Sequence, residues 1–298
     1  MKALYYDGTK AVYREDAKMP VREAGHSLIK VMLANICSTD REILNDYRPD
    51  FRGIMGHEFV GKVIESDEPA LVGKTVVGEL NEGCGECLYC RTGRSKHCLS
   101  RKVIGMSKDG CFAEYMTLAN HLLHPLPEGL APEKAIFTEP LAAALEILKQ
   151  VHIDPSLNAA VIGDGRLGYM TAQVLALTGI DLTVIGRHPD KLALFKPFSR
   201  TALAEDYMEG KDYRALMPEE CFEYVVDAAG NESGIHLALH LVRKMGTILL
   251  KSTYAKKAHI DMSLLAVNEI TIVGSRCGPF APALKLLHEG CTIPFISR

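Results

Sequence analysis

Cys84, Cys87, Cys90 and Cys98 lie in the run GCGECLYCRTGRSKHC with the spacing C-x2-C-x2-C-x7-C. Four thiolates this close along a chain can close a tetrahedron around zinc with no position left open, which makes a structural rather than a reactive site. An iron–sulfur cluster is the rival occupant. Its usual last spacing is shorter and is followed by proline, whereas here seven residues intervene and Leu99 follows. Four unrelated thiols on a loop are the bland alternative, and His97, which could replace one cysteine, reads as a solvated neighbour. A second pattern is Gly163-Asp164-Gly165-Arg166-Leu167-Gly168, a G-x-G-x-x-G run after the apolar stretch Ala159–Ile162 and before a helical pattern. Its first glycine allows the tight turn, the second lets backbone approach a pyrophosphate, and the third lets helix and strand pack closely. The helix N-terminus then aims N–H donors at phosphate. The alternative is the glycine-rich turn of an ordinary strand–helix–strand unit.

At the end of the next strand a dinucleotide site commonly carries an acid for the ribose hydroxyls. Gly186 stands there, followed by Arg187 and His188. An acid would repel a 2′-phosphate and a guanidinium would bind one, so this pair predicts NADP preferred, with NAD possible. The alternative is that Arg187 is an exposed strand-end residue or stacks on adenine, and His188 reads as a solvated surface histidine. A third group is scattered: Cys37 in ICSTDRE, His57 and Glu58 in GHE, and Glu139 in TEP. Taken singly, each has a structural reading. Cys37 could be a small buried apolar residue. Thr39 and Glu42 fit a capping box. Glu139 precedes Pro140 and is expected in extended geometry just outside a helix, where it could cap. No second histidine follows His57 at the spacing of a metalloprotease helix.

These residues need a scaffold. A chain of 298 residues is long for one core and comfortable for two. Up to about Phe137 it shows short strand-like runs, Ser27–Met32, Phe59–Ile64, Lys74–Leu80 and Cys111–Leu118, separated by glycine and proline as in a small barrel or folded sheet. From Leu141 short apolar runs (Ala159–Ile162, Leu182–Ile185, Tyr224–Val226, Thr247–Leu250, Ile270–Val273) alternate with helical stretches such as Thr171–Leu177 and Ile235–Val242. That alternation predicts an α/β unit with a doubly wound parallel sheet, joined to the first part by a helix. The net charge of −3 offers no basic field for nucleic acid or an anionic membrane. No apolar run is long enough to span a bilayer, and MKALYYDGTK has no signal-segment pattern. A cytoplasmic setting is expected, in which nine cysteines do not read as a disulfide framework. Cys111, Cys221, Cys277 and Cys291 acquire no role from the sequence.

Taken together and in order, the Cys37-x-Thr39-Asp40 segment, Gly56-His57-Glu58, the four-cysteine lobe, Thr138-Glu139-Pro140 and the glycine loop resemble the zinc-containing medium-chain dehydrogenase/reductase family. The resemblance covers nearly the whole chain. It implies a GroES-like β-rich catalytic domain over residues 1–140, a Rossmann dinucleotide-binding domain over 141–276 and the start of a return to the catalytic domain at 277–298, with Pro294–Ile296 its first strand-like residues. The family's active site lies between the two domains. The resemblance implies one structural zinc, and one catalytic zinc held by Cys37, His57 and Glu139, with Glu58 able to ligate or to exchange with water. Thr39 would pass the substrate proton outward. It further implies hydride transfer between NADP or NAD and a small-molecule alcohol, polyol or sugar, in a homodimer or homotetramer. Alcohol dehydrogenases of the family place histidine where this chain has Glu42, and Thr-Asp-Arg-Glu looks like the stretch found in sugar dehydrogenases, which favours a polyhydroxylated substrate. Two rival functions are a zinc-free quinone or enoyl reductase on the same plan and a non-enzymatic zinc- and NADP-binding relic.

Overall fold

The structure, a computed structural model, describes residues 1–45, 47–208, 221–254 and 257–291. They divide into two compact units, one of Met1–Glu139 with Phe280–Gly290 and one of Pro140–Pro279 with Cys291. The division falls inside the helix Thr138–Gln150. The return segment expected from residue 277 contributes the helix Phe280–Glu289 to the first unit, where the Phe280 ring stacks on His124 at 5.3 Å. Pro294–Ile296 lies outside the described residues.

The first unit is built from short antiparallel strands: β1 (Ala3–Tyr6), β2 (Ala11–Arg14), β3 (His26–Asn35), β4 (Gly53–Ile54), β5 (Glu58–Ser66), β6 (Thr75–Gly78), β7 (Asn81–Glu82), β8 (Lys102–Val103), β9 (Tyr115–Ala119) and β10 (Leu123–Pro125). They form a three-stranded sheet β2-β1-β4, a five-stranded sheet β10-β6-β5-β3-β9 and the antiparallel pair β7-β8. Inward side chains such as Ile29, Val60, Val76 and Leu118 are wholly buried. The strand expected at Cys111–Leu118 is shorter than its apolar pattern. Cys111 and Phe112 instead bond across to Gly56 and Met55, and regular pairing with β3 starts at Tyr115.

The second unit carries β11 (Asn158–Ile162), β12 (Asp181–Gly186), β13 (Arg200–Leu203), β14 (Phe222–Asp227), β15 (Val242–Leu250) and β16 (Thr271–Gly274). Their order is β13-β12-β11-β14-β15-β16, and every pair is parallel. This is the doubly wound order of a Rossmann sheet, in which ligands bind beyond the carboxyl ends of the strands where the order reverses. Here that point is between β11 and β14. Strands covered on both faces read as continuous apolar runs, and alternate residues of β11 feed opposite cores. Ala159 and Val161 pack with Tyr169, Leu175 and Phe195, while Ala160 and Ile162 pack with Ile235, Leu239 and Ile248. The helix expected at Thr171–Leu177 begins earlier, spanning Arg166–Ala176 directly from the glycine loop. That expected at Ile235–Val242 spans Glu232–Leu241, because the Asn231 side chain caps it by accepting from Gly234 N.

Candidate active site

Cys37 caps the short helix Ser38–Ile43. The capping partner is not the expected Thr39–Glu42 pair. Asp40 Oδ2 accepts the Cys37 backbone N–H at 2.8 Å, which sets the helix two residues earlier and turns Asp40 inward, to 2% exposure. Its other oxygen, Oδ1, lies 3.3 Å from His57 Nδ1. The pairing of β3 with β5 sets Asn35 opposite Glu58, and this register carries Cys37, just past the end of β3, toward the start of β5. The donor atoms of Cys37, His57 and Glu58 consequently lie within 4.8 Å of one another. With Nδ1 turned to Asp40, Nε2 is the ring's remaining donor.

One thiol, one imidazole and one carboxylate, the latter two buried, are a zinc donor set, and a carboxylate behind the histidine orients such a ligand. Burial works against a charged ring at His57, yet hydrogen bonding to Asp40 and Cys37 prevails and holds its pKa well above the usual value. Cys111 borders the cluster, donating to Glu58 O at 3.5 Å. Burial, reinforced by the charges of Asp40 and Glu58, pushes the Cys111 thiol far up, so it stays neutral. Thr39 Oγ1 is 3.7 Å from Cys37 Sγ. Glu139, expected as the third ligand from extended backbone outside a helix, is inside the first turn of Thr138–Gln150 and is half-buried. Pro140 is tolerated there because first-turn N–H groups have no helical partner. Glu139 does not fall in the Cys37–His57–Glu58 cluster.

Cys84, Cys87, Cys90 and Cys98 also converge to within 4.8 Å. The Sγ–Sγ distances are 3.6 Å for Cys87–Cys90 and 4.0 Å for Cys84–Cys90. Zinc–sulfur bonds near 2.3 Å give tetrahedral edges of about 3.8 Å, so the spacing fits zinc, and all four are free thiols. Backbone N–H groups of Glu86 and Cys87 aimed at Cys84 pull its thiol down to about 6. At the base of this lobe the β7-β8 pair carries Glu82, whose carboxylate accepts from Lys108 Nζ at 2.7 Å and meets His26 Nε2 at 3.1 Å.

In the second unit the glycine loop joins β11 to the helix Arg166–Ala176. Gly163 has φ +120°, and a β-carbon there would stand 2.7 Å from Ala228 O; one on Gly168 would stand 2.0 Å from Gly163 O. Packing dictates both glycines. Gly165 differs: a β-carbon there would meet nothing within 4 Å. The fold itself therefore places no steric demand on a glycine at 165, and the N–H groups that follow it at the helix start are of the kind that bind phosphate. Arg166 and Leu167 are half-buried in the helix's first turn. Arg187 is exposed at the end of β12.

His188 is exposed, as expected, and its ring Nδ1 also lies 2.8 Å from Asp164 Oδ2, which accepts the backbone N–H groups of Arg187 at 2.8 Å and His188 at 2.7 Å. Sequence reasoning missed both Asp40 and Asp164. The available signals were an acid three residues after a candidate ligand, and an acid inside a loop meant for phosphate, which must turn away from it.

Among known families, residues 23–128 match the Alcohol dehydrogenase GroES-like domain and residues 167–289 match Zinc-binding dehydrogenase. The chain is 30% identical to D-arabinitol dehydrogenase 1 of Uromyces fabae over 95% of its own length and 85% of the relative's. It is 27% identical to erythritol/L-threitol dehydrogenase of Mycolicibacterium smegmatis over 97% and 87%. A zinc-binding dehydrogenase structure from Sinorhizobium meliloti 1021, bound to NADP, superposes with a TM-score of 0.86 at 25% identity, covering 97% of this chain and 88% of that one. With its paired donor clusters and glycine cradle, the chain belongs to the zinc-type medium-chain dehydrogenase/reductase family of NAD(P)-dependent oxidoreductases.

Proposed function

We propose that this enzyme transfers hydride between a secondary alcohol, polyol or sugar and NADP, with NAD as a second cofactor, and that each chain holds one catalytic and one structural zinc. The observation that carries the reading is the clustering of half-buried Cys37 with buried His57 and Glu58, backed by Asp40. Cys37, His57 and Glu58 would hold the catalytic ion, Glu139 is the further carboxylate available from the family pattern, and the four-cysteine lobe would hold the structural one. Zinc at the first site would acidify a substrate hydroxyl; a fall as large as that of zinc-bound water, to about 7, corresponds to roughly 12 kcal/mol. The protein's own part is to fix the donors and move the proton. Asp40 sets the His57 ring, and the Thr39 hydroxyl, beside Cys37, receives the substrate proton at Oγ1 and hands it on.

The two donor clusters have no use in a zinc-free quinone or enoyl reductase. A polyhydroxylated substrate is supported by the Thr39–Glu42 stretch and by the sugar-alcohol names of the relatives. Nine free thiols suit a reducing, cytoplasmic setting. Among the described residues β16 is the last strand of its sheet, and such an edge suits pairing with a second copy. Elemental analysis of freshly prepared protein, with a screen of polyols and aldoses against both cofactors, tests the reading. Two zincs per chain and turnover of a polyol are expected; folded protein without zinc, or zinc-loaded protein inert toward the whole panel, refutes it.

A further inference from the structure

Gly186 leaves the end of β12 without its expected acid, but the space is not empty of charge. A β-carbon on Gly186 would lie 2.6 Å from Asp164 Cβ and 2.7 Å from Asp164 Oδ2. The carboxylate of the glycine loop thus fills the volume from which a strand-end acid would grow, and only glycine at 186 admits it. Asp164 is 8% exposed, and its Oδ2 takes three donors, the backbone N–H groups of Arg187 and His188 and the His188 ring. Burial favours the neutral acid, but the donors of His188 and Arg187 outweigh it and hold the group below the ordinary carboxylate range. At neutral pH Asp164 is therefore a fixed negative charge beside the backbone of Arg187. Oδ1 makes no hydrogen bond among the described residues, so it is the acceptor left over.

We infer that Asp164 is a specificity-determining residue for the adenosine ribose, delivering from the glycine loop the carboxylate that accepts a ribose hydroxyl of NAD and opposes the 2′-phosphate of NADP. This rests on the dinucleotide reading above and deepens it. Arg187 attracts the extra phosphate, Asp164 resists it, and the His188 ring shares the Asp164 charge. Specificity is a difference of two affinities, and here the opposed charges keep that difference modest, so that both cofactors serve.

The test is calorimetric titration of the full chain with NADP, NAD, adenosine 2′,5′-bisphosphate and 5′-AMP, which needs neither turnover nor a loaded metal site. Asp164→Asn keeps the shape and removes the charge. It should weaken NAD and raise the NADP-to-NAD affinity ratio about tenfold, the effect of roughly 1.4 kcal/mol. His188→Ala, which leaves Asp164 with less compensation, should move the ratio the other way. Either variant, folded as the parent by circular dichroism, with an unchanged ratio overturns the inference. If Asp164→Asn does not fold, His188→Ala decides alone. Arg187→Ala separates the two readings. If it leaves bisphosphate affinity intact, the NADP preference falls, while a shifted ratio in Asp164→Asn still supports Asp164. A parent that binds none of the four compounds overturns both.

Discussion

Replacing Asp40 with alanine tests how the proposed catalytic site is held together. One carboxylate reaches two of the three clustered residues, Cys37 through its backbone N–H at 2.8 Å and His57 through Nδ1 at 3.3 Å. The first is a short bond from a charged acceptor, worth about 1.5–3 kcal/mol. The second is long and contributes at the lower end of that range. Loss of a carboxylate behind a metal-ligating histidine lowers affinity about 10–100-fold. Because the same side chain also caps the helix that carries Cys37, the expected loss is near the upper figure, about 2.8 kcal/mol. Dialysis against graded chelator, with zinc counted per chain, reads this directly. Parent protein should release its two ions in two steps. Asp40→Ala should shed one at about a hundredfold weaker chelation and keep the cysteine-bound ion, with kcat falling in step. Asp40→Asn should lie between, since its carbonyl can still accept from Cys37 while its amide meets the His57 N–H donor to donor. Both ions held with parental affinity in Asp40→Ala, and unchanged kcat, would refute the assembly described here.

Cys87→Ser should lower the thermal midpoint markedly while leaving the residual turnover of correctly zinc-loaded molecules less affected, because a closed four-thiolate site contributes folding energy and no chemistry; differential scanning calorimetry beside single-site zinc counts checks it. Gly165→Ala should weaken dinucleotide binding with little change in stability, whereas Gly168→Ala, whose new carbon would stand 2.0 Å from Gly163 O, should cost about 1–3 kcal/mol in a denaturant titration. Burial raises Glu82, but Lys108 and His26 prevail and leave its carboxyl below the ordinary 4.5. A carboxyl lowered by folding stabilises the protein above its unfolded value and loses that contribution as pH falls through the folded one. The stability gap between the parent and Glu82→Gln, about 1 kcal/mol at most at neutral pH for a partly exposed pair, should therefore close on acidification below 4.5, as measured by thermal melts over that range.

Five of the six strands of the parallel sheet were legible because strands buried on both faces are largely apolar; the edge strand β13, Arg200–Leu203, is only partly buried and left no such run. Ala159–Ile162 and Leu182–Ile185 announced β11 and β12 within one residue at each end. The first unit was legible only in outline. What brings Cys37 to His57 is the β3–β5 register, and that register shifts at Leu28/Ile29 and again between Val31 and Leu33, irregularities that no alternation of residue types records. Asp40 was hidden by a competing local pattern. Thr39 and Glu42 have the spacing of a capping box, and only burial against His57 decides that the helix starts earlier. Glu139 was misplaced for a similar reason, since proline's bias against a preceding helical residue yields when Thr138, with its hydroxyl on Ala135 O at 2.6 Å, anchors the helix start. The exchange between Gly186 and Asp164 was illegible in principle, because it is a clash between residues 22 positions apart in sequence.

The two donor clusters also differ in how a growing chain can collect them. The lobe's cysteines are separated by two, two and seven residues. Closing loops that short needs little of the surrounding fold, and the entropy lost is small. The other cluster unites a helix cap with the start of a strand only once β3 and β5 have paired along most of their length. Under the assignment proposed here the lobe can capture its ion from a largely unfolded chain, and the reactive site can fill only after the sheet is in register. A nascent molecule starved of zinc for a moment would therefore commit its supply to architecture first, and catalytic competence would be the last property it acquires.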